Sequence, residues 1–283
     1  MGRLRKSLRK MALELETKRG KKRSYSAVYR ELKKSGIKPF HVISKPNITE
    51  QQREDRAWFC GSFLKDWDEA DFLHVAASDE FFIYTVRKPN HKNDIIWAAN
   101  LDDISDDVRY RQVVKFPECL GIFLCFTAKQ LMWIIKEKGQ SWNGEYFRDT
   151  VLTGGVFPFL RDPENVLSVA EVTFLHDKAP CFKALQTQEL LRNSGIDFFS
   201  SSEFPGSSPD LNVCENVGSI LKDRVEERTV NYDGIPSLND LRREVTEVLR
   251  EMEFDSQLFC DLLKSYPSRM QAVVQADGGH TKY

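Results

Sequence analysis

Between residues 72 and 225 short apolar runs alternate with stretches of helical periodicity, and this alternation limits the fold more than any other feature of the chain. Phe72 to Ala77 (FLHVAA) reads as an apolar strand that runs into Ser78, Asp79 and Glu80. Phe81 to Val86 follows after almost no turn, so a hairpin-like meander is expected there. Gly121 to Thr127, Val172 to His176 and Ile196 to Phe199 read as further strands. From Pro180 to Gly195, Cys181, Ala184, Leu185 and Leu191 recur at helical spacing, and a second helix is expected from about Leu211 to Val225. Meandering strands combined with strand–helix–strand units predict an α/β fold, a mixed sheet flanked by helices. The longest apolar run, Cys119 to Phe126, is eight residues, against the roughly 20 a membrane helix needs. The opening MGRLRKSLRK is basic with no apolar stretch behind it, unlike a signal peptide. A soluble intracellular protein with no membrane partner is the expectation.

Charge divides the chain. Residues 1–50 carry 15 Lys and Arg against 4 Asp and Glu, while the rest carry 26 against 38. A basic arm on an acidic body suggests a polyanion-binding end joined to a working domain, with a solvated basic tail as the bland alternative. Ser7 to Glu16 reads as a short helix, with Leu8, Met11, Ala12 and Leu15 on one face. The loop Lys18 to Arg23 (KRGKKR) follows, and a second helix runs from Ser24 as N-cap to a stop at Gly36. Two helices around a basic turn fit a helix-turn-helix. Lys18, Arg19, Lys21, Lys22, Arg23, Tyr25, Arg30, Lys33 and Lys34 are then the candidate contacts to double-stranded DNA. The same basic run fits a nuclear-import signal, which would place the protein in the nucleus. The expected organisation is an arm over 1–45, a linker helix over 46–70 with Thr49 as N-cap, and a catalytic domain over 71–283. Ser237 to Met252 has a one-sided apolar stripe that packs on the core or on a second copy.

Six scattered cysteines without a CxxC pair and five separated histidines argue against a disulfide framework and a structural zinc site. Carboxylates are the more promising ligands. Asp79 and Asp177 follow apolar strands, and Glu215 lies in the first turn of a helix whose small Gly218 and Ser219 share its face and leave space above it. Three convergent carboxylates suit a pair of Mg²⁺ ions, with Mn²⁺ as a substitute, since hard cations take oxygen ligands. Against this stands the routine use of acids after strands and at helix starts.

Longer strings bear on that choice. Phe174 to Val225, with its HDKAPCF and SPDLNVCEN segments, resembles the signature of Tc/mariner-superfamily transposases. AASDEFFIY (76–84) is similar to that family's first motif, and YPSRMQAVVQADGGHTKY (266–283) to its terminal one. SYSAVYRELKKSGIKP followed by ITEQQREDRAWF is similar to its second helix-turn-helix and linker. The resemblance implies an RNase H-like catalytic core with Asp79, Asp177 and Glu215 as the catalytic and metal-binding triad. It also implies cleavage at the terminal inverted repeats of a transposon and strand transfer into a TA target, by a homodimer on DNA.

The chain departs from the family pattern at identifiable places. Lys178 stands where the family has Asn, and Phe182 where it has His. Val213 and Gly218 replace a Pro and a Trp, and the gap between Asp177 and Glu215 is lengthened in the loop SSSEFPG. Asp210, in SSPDLN, is expected to cap the following helix rather than serve as the third acid. The match begins at the second helix-turn-helix, so the expectation is an N-terminally shortened transposase, with Gly2-Arg3-Leu4-Arg5 only faintly like the family's minor-groove hook. The alternatives are a decayed or domesticated DNA-binding derivative and another RNase H-like nuclease.

Overall fold

A computed structural model describes residues 8–15, 20–37, 47–86, 96, 98, 100–105, 109, 114–137, 139–200, 202–230, 232 and 234–283. The chain forms two compact units, residues 1–46 and 47–283. In the first, α1 (Leu8–Glu14) and α2 (Tyr25–Lys34) pack together and bury Ala12 and Val28. Ser24 caps α2 by accepting a hydrogen bond from the Ala27 amide, and Gly36 ends it at φ 74°. Lys18, Arg19 and the segment Gly2 to Arg5 lie outside the described residues.

The second unit is built on a five-stranded sheet of order β3-β2-β1-β4-β5. β1 (Val75–Tyr84) pairs antiparallel with β2 (Cys119–Phe126), which pairs antiparallel with β3 (Leu131–Ile135). On its other side β1 pairs parallel with β4 (Thr173–Leu175), and β4 with β5 (Asp197–Phe198). Antiparallel strands need only tight connections, whereas the parallel ones take helical crossovers, so helices cover both faces. A mixed sheet flanked by helices is therefore what the sequence predicts and what the chain adopts, with the RNase H-like arrangement.

The expected meander at Phe72 to Val86 is corrected to one strand. Ser78, Asp79 and Glu80 stay in the ladder, opposite Cys125, Leu124 and Phe123 of β2, because β2 supplies partners without interruption from Ala77 to Tyr84. Alternation then assigns faces. Ala77, Phe81 and Ile83 join one core with Leu120, Ile122, Leu124 and Phe126; Ala76, Phe123 and Cys125 join the other.

The first face carries α9 (Cys214–Thr229), α10 (Leu238–Met252), α11 (Ser256–Leu263) and α12 (Tyr266–Gln275), numbered after α3 to α8 below. The apolar stripe of α10 is buried at Leu241, Val245, Val248, Leu249 and Met252, so it packs on the core. α3 (Glu50–Asp66) lies along α12, and α4 (Glu69–Phe72) leads into β1. Thr49 and Gln52 form a capping box at the start of α3. Phe59 and Phe63 of α3, with Trp67, gather around Phe199, ring centroids 5.3–5.9 Å from it.

The opposite face is covered by α5 (Gly144–Tyr146), a π-helical stretch (Phe147–Val156) and α6 (Phe157–Arg161) in one continuous run, then by α7 (Pro180–Lys183) and α8 (Leu185–Arg192). The single helix expected from Pro180 to Gly195 is broken at Ala184, whose ψ of 132° is extended. The break lets Cys181 and Phe182 on one side of it, and Thr187, Gln188 and Leu191 on the other, all reach the interior, leaving Leu185 85% exposed at the bend.

Candidate active site

Three elements meet at one end of the sheet. The β1–β4 ladder stops at Ala77 and Leu175, so Asp79 continues along β1 beyond the end of its parallel neighbour. It projects to the side of Ala77 and Phe81, the side that α9 covers. Asp177 lies two residues beyond β4, and Glu215 is the second residue of α9. All three line one cleft of about 540 Å³, together with Gln52, Asp55, Lys178, Lys183, Asn212 and the loop Phe204 to Pro209. The arm candidates Lys21, Lys22, Arg23, Tyr25, Arg30, Lys33 and Lys34 belong to the other unit, where all are exposed.

Buried polar contacts hold these elements in place. The Ser78 hydroxyl donates to the Leu175 carbonyl at 2.8 Å, tying β1 to β4 next to both aspartates. Asn212 Nδ2 donates to the Ser78 carbonyl at 3.0 Å, while its Oδ1 accepts from the Cys214 amide at 3.1 Å. One buried amide thus fastens the strand before Asp79 to the helix turn before Glu215. Asp177 Oδ1 accepts from the Ala179 amide at 2.9 Å, which turns the chain into α7. His176 is buried and stacked on Phe182, rings 4.3 Å apart and 9° from parallel, and Nδ1 lies 2.6 Å from the Asp177 carbonyl oxygen. Burial lowers its pKa, so the ring is held neutral. Phe182, the departure from the family's His, serves as that packing surface.

Asp210 does not cap α9. Val213 occupies the N-cap without a side-chain bond, and Asn212 supplies the local acceptor. Asp210 instead receives a two-pronged bond from Arg56 of α3, at 2.8 and 2.7 Å, and a third from the Thr281 hydroxyl at 2.9 Å. Arg56, fully buried, also donates to the carbonyls of Ser207, Gly278 and Gly279. Burial would raise the Asp210 carboxyl, but the Arg56 hydrogen bonds and charge outweigh it and hold the pKa low. The SPDLN turn, α3 and the GGHTKY terminus are therefore one latch behind the cleft. The space expected above Glu215 is also corrected: a Cβ on Gly218 would meet the Phe81 ring at 3.2 Å. Small size there admits Phe81 rather than a ligand.

The acids repel one another. Asp79 is pushed up to about 7, first by burial, then by Glu215 and, less, by Asp177, against partial relief from the Glu80 amide and Lys222. Glu80, on the opposite face beside Cys181, is raised to about 8 by burial and by the charges of Asp177 and Asp79. Among the described residues no three His, Cys, Asp or Glu side chains close into a ready-made ion-binding cluster. The donor set nonetheless suits a hard divalent cation. Asp79 and Asp177 each commit one oxygen to a backbone amide, and the second oxygen of each, like the Glu215 carboxylate, has no hydrogen bond among the described residues. A cation would offset the repulsion that raises Asp79.

Sheet order, one aspartate within β1 just past the end of its parallel ladder, a second just beyond β4 and a third acid on the covering helix define an RNase H-like fold with an acid-lined cleft. No protein-family model matches the chain. The Tcb2 transposase of a transposable element of Caenorhabditis briggsae is 23% identical over 264 residues, spanning 92% of this chain and 88% of that protein. The Mos1 transposase, solved as a paired-end complex with the left transposon end, superposes with a TM-score of 0.74 at 17% identity, covering 98% of this chain and 76% of that one. Paired-end complexes of Mos1 with Mn and with Mg give 0.69 and 0.70. The Mos1 catalytic domain alone is covered completely by 85% of this chain, at 16% identity and a TM-score of 0.60. The resemblance to Tc/mariner transposases read from the sequence is thereby borne out, in sequence by Tcb2 and in fold by Mos1.

Asn212, Arg56, Glu80 and Lys183 went unassigned in the sequence reading. Asn212 and Arg56 left no signal beyond polar residues in otherwise apolar or helical contexts, because their partners are 134 and 154 residues away.

Proposed function

We propose that this chain is a Tc/mariner-type DNA transposase that cuts at the ends of its element and joins the freed ends to target DNA. The observation that carries the reading is that Asp79, Asp177 and Glu215, distant in sequence, line one cleft at one end of an RNase H-like sheet. They are the residues we assign as catalytic and as ligands of two Mg²⁺ ions, for which Mn²⁺ substitutes. Divalent ions bound there would supply activation of the attacking oxygen and stabilisation of the leaving one. The chain's own work is positional. Asn212 and the Ser78–Leu175 bond hold the elements that carry the three carboxylates relative to one another.

In the first step water adds to a backbone phosphorus and the P–O3′ bond breaks, leaving a 3′-hydroxyl and a 5′-phosphate. In the second, that 3′-hydroxyl attacks a phosphodiester of the target, a TA dinucleotide, displacing another 3′-oxygen. Neither step needs a covalent protein intermediate. Lys18, Arg19, Lys21, Lys22, Arg23, Tyr25, Arg30, Lys33 and Lys34 of the arm are assigned to the inverted repeats, by contacts mainly to phosphate. Two copies act together on the paired ends, in the nucleus. Divalent-dependent nicking of repeat-end DNA by the wild-type protein and its loss in Asp177→Asn are expected; equal nicking by both would refute the assignment.

A further inference from the structure

The acid-lined cleft has a basic wall. Lys178 follows Asp177 directly, and the Asx turn made by Asp177 on the Ala179 amide leaves both side chains lining the same cavity. Lys183, at the last turn of α7, lines it as well. The two ammonium groups are close enough to repel each other, and Lys178 also lies within electrostatic reach of Asp55 of α3. Neither lysine forms a salt bridge among the described residues. Two like charges placed together beside a cavity, neither of them closed into a salt bridge, are a site for an anion. Facing them, Asp55, Asp79, Asp177 and Glu215 repel any anion that comes without a cation, so the lysine wall is the part of the cleft that accepts a phosphate directly. Gly206 borders that wall: a Cβ there would make ordinary contacts, 3.4 Å from Gln52 Nε2 and 3.7 Å from Lys178 Cδ. Gln52, also in the lining, is held by donating to the Ser207 hydroxyl at 3.1 Å.

We propose that Lys178 and Lys183 form a phosphate-binding subsite for the DNA strand entering the acidic cleft, holding a backbone phosphate next to the one that reacts. The inference rests on the nucleic-acid reading of the cleft and adds the residues that seat the strand. Lys178 is then a working replacement for the Asn of related sequences.

The test is the salt dependence of binding between the full chain and a fluorescein-labelled repeat-end duplex, read by anisotropy over about 50–200 mM KCl. Lys178→Gln and Lys183→Gln are each expected to flatten the slope of log affinity against log salt by about 1, and the double variant by about 2. Lys178→Arg, which keeps the charge, is expected to retain the wild-type slope. Unchanged slopes in the Gln variants would overturn the subsite, as would a loss in Lys178→Arg equal to that in Lys178→Gln. Mn²⁺ affinity without DNA separates the rival role. If Lys178→Gln binds Mn²⁺ more tightly while its salt slope stays wild-type, the lysine opposes the cation and the subsite is wrong. Retained nicking by Asp177→Asn would sink the transposase reading itself, whereas wild-type salt slopes in the lysine variants beside an inactive Asp177→Asn would sink only the subsite.

Discussion

Arg56 has all its donors engaged in a buried cluster, so its removal leaves the Asp210 carboxylate, 8% exposed, without its counter-charge. Breaking such a pair from one side costs about 3–5 kcal/mol, and Arg56→Ala is expected to lose that much in denaturant unfolding. A loss below about 1 kcal/mol would contradict the latch described for α3, the SPDLN turn and the C-terminus. Asp79 gives a pH signature of definite sign. With a folded-state pKa near 7, it keeps its proton where the unfolded chain, with an ordinary carboxyl, has released it. Protonation therefore favours folding: the contribution is complete below about pH 4 and lost as pH rises to 7. Glu80, raised to about 8, extends the same trend. In metal-free protein, the Tm of Asp79→Asn relative to wild type should climb from pH 4 to pH 7. A difference constant across that range would show that the site is not electrostatically loaded.

At the scale of elements, the terminal GG shows how backbone geometry couples the chain end to α3. Gly278 has φ 71°, and a Cβ there would sit 2.0 Å from the Arg53 carbonyl oxygen; Gly234, at φ 88°, has nothing within 4 Å. Gly234→Ala should cost about 1–2 kcal/mol from conformation alone. Gly278→Ala should cost clearly more, measured by the same unfolding curves, and equal losses would mean that the terminus does not dock as described. The elements also show what a sequence can reveal. Thr49 and Ser24 were legible as N-caps because capping is a local interaction between residues three apart. The split of Phe72 to Val86 into two strands failed because polar residues at 78–80 look like a turn, while the pairing that keeps them extended lies on β2, more than 40 residues on. Leu131 to Ile135, with its β-branched and aromatic residues, carried a strand signal that was passed over. The break at Ala184 had none, since both halves share one helical period and only the core decides where they part.

For the molecule as a whole, charge follows the division into units: the basic stretch over residues 1–50 nearly coincides with the first unit, and the acidic remainder makes up the second. The three acids were legible through strings similar to a known family, whereas their spacing alone left a surface-charge explanation open. Asp210 shows why spacing was insufficient: it is as well placed along the chain as Glu215, but its side chain is committed to Arg56. The catalytic role of the three carboxylates requires that the cleft gather divalent ions. Anomalous diffraction from crystals soaked in Mn²⁺ tests this directly. Peaks between Asp79, Asp177 and Glu215, reduced in Asp177→Asn, are the predicted result; soaked crystals with no peak at these carboxylates, or with Mn²⁺ held only elsewhere, would contradict it.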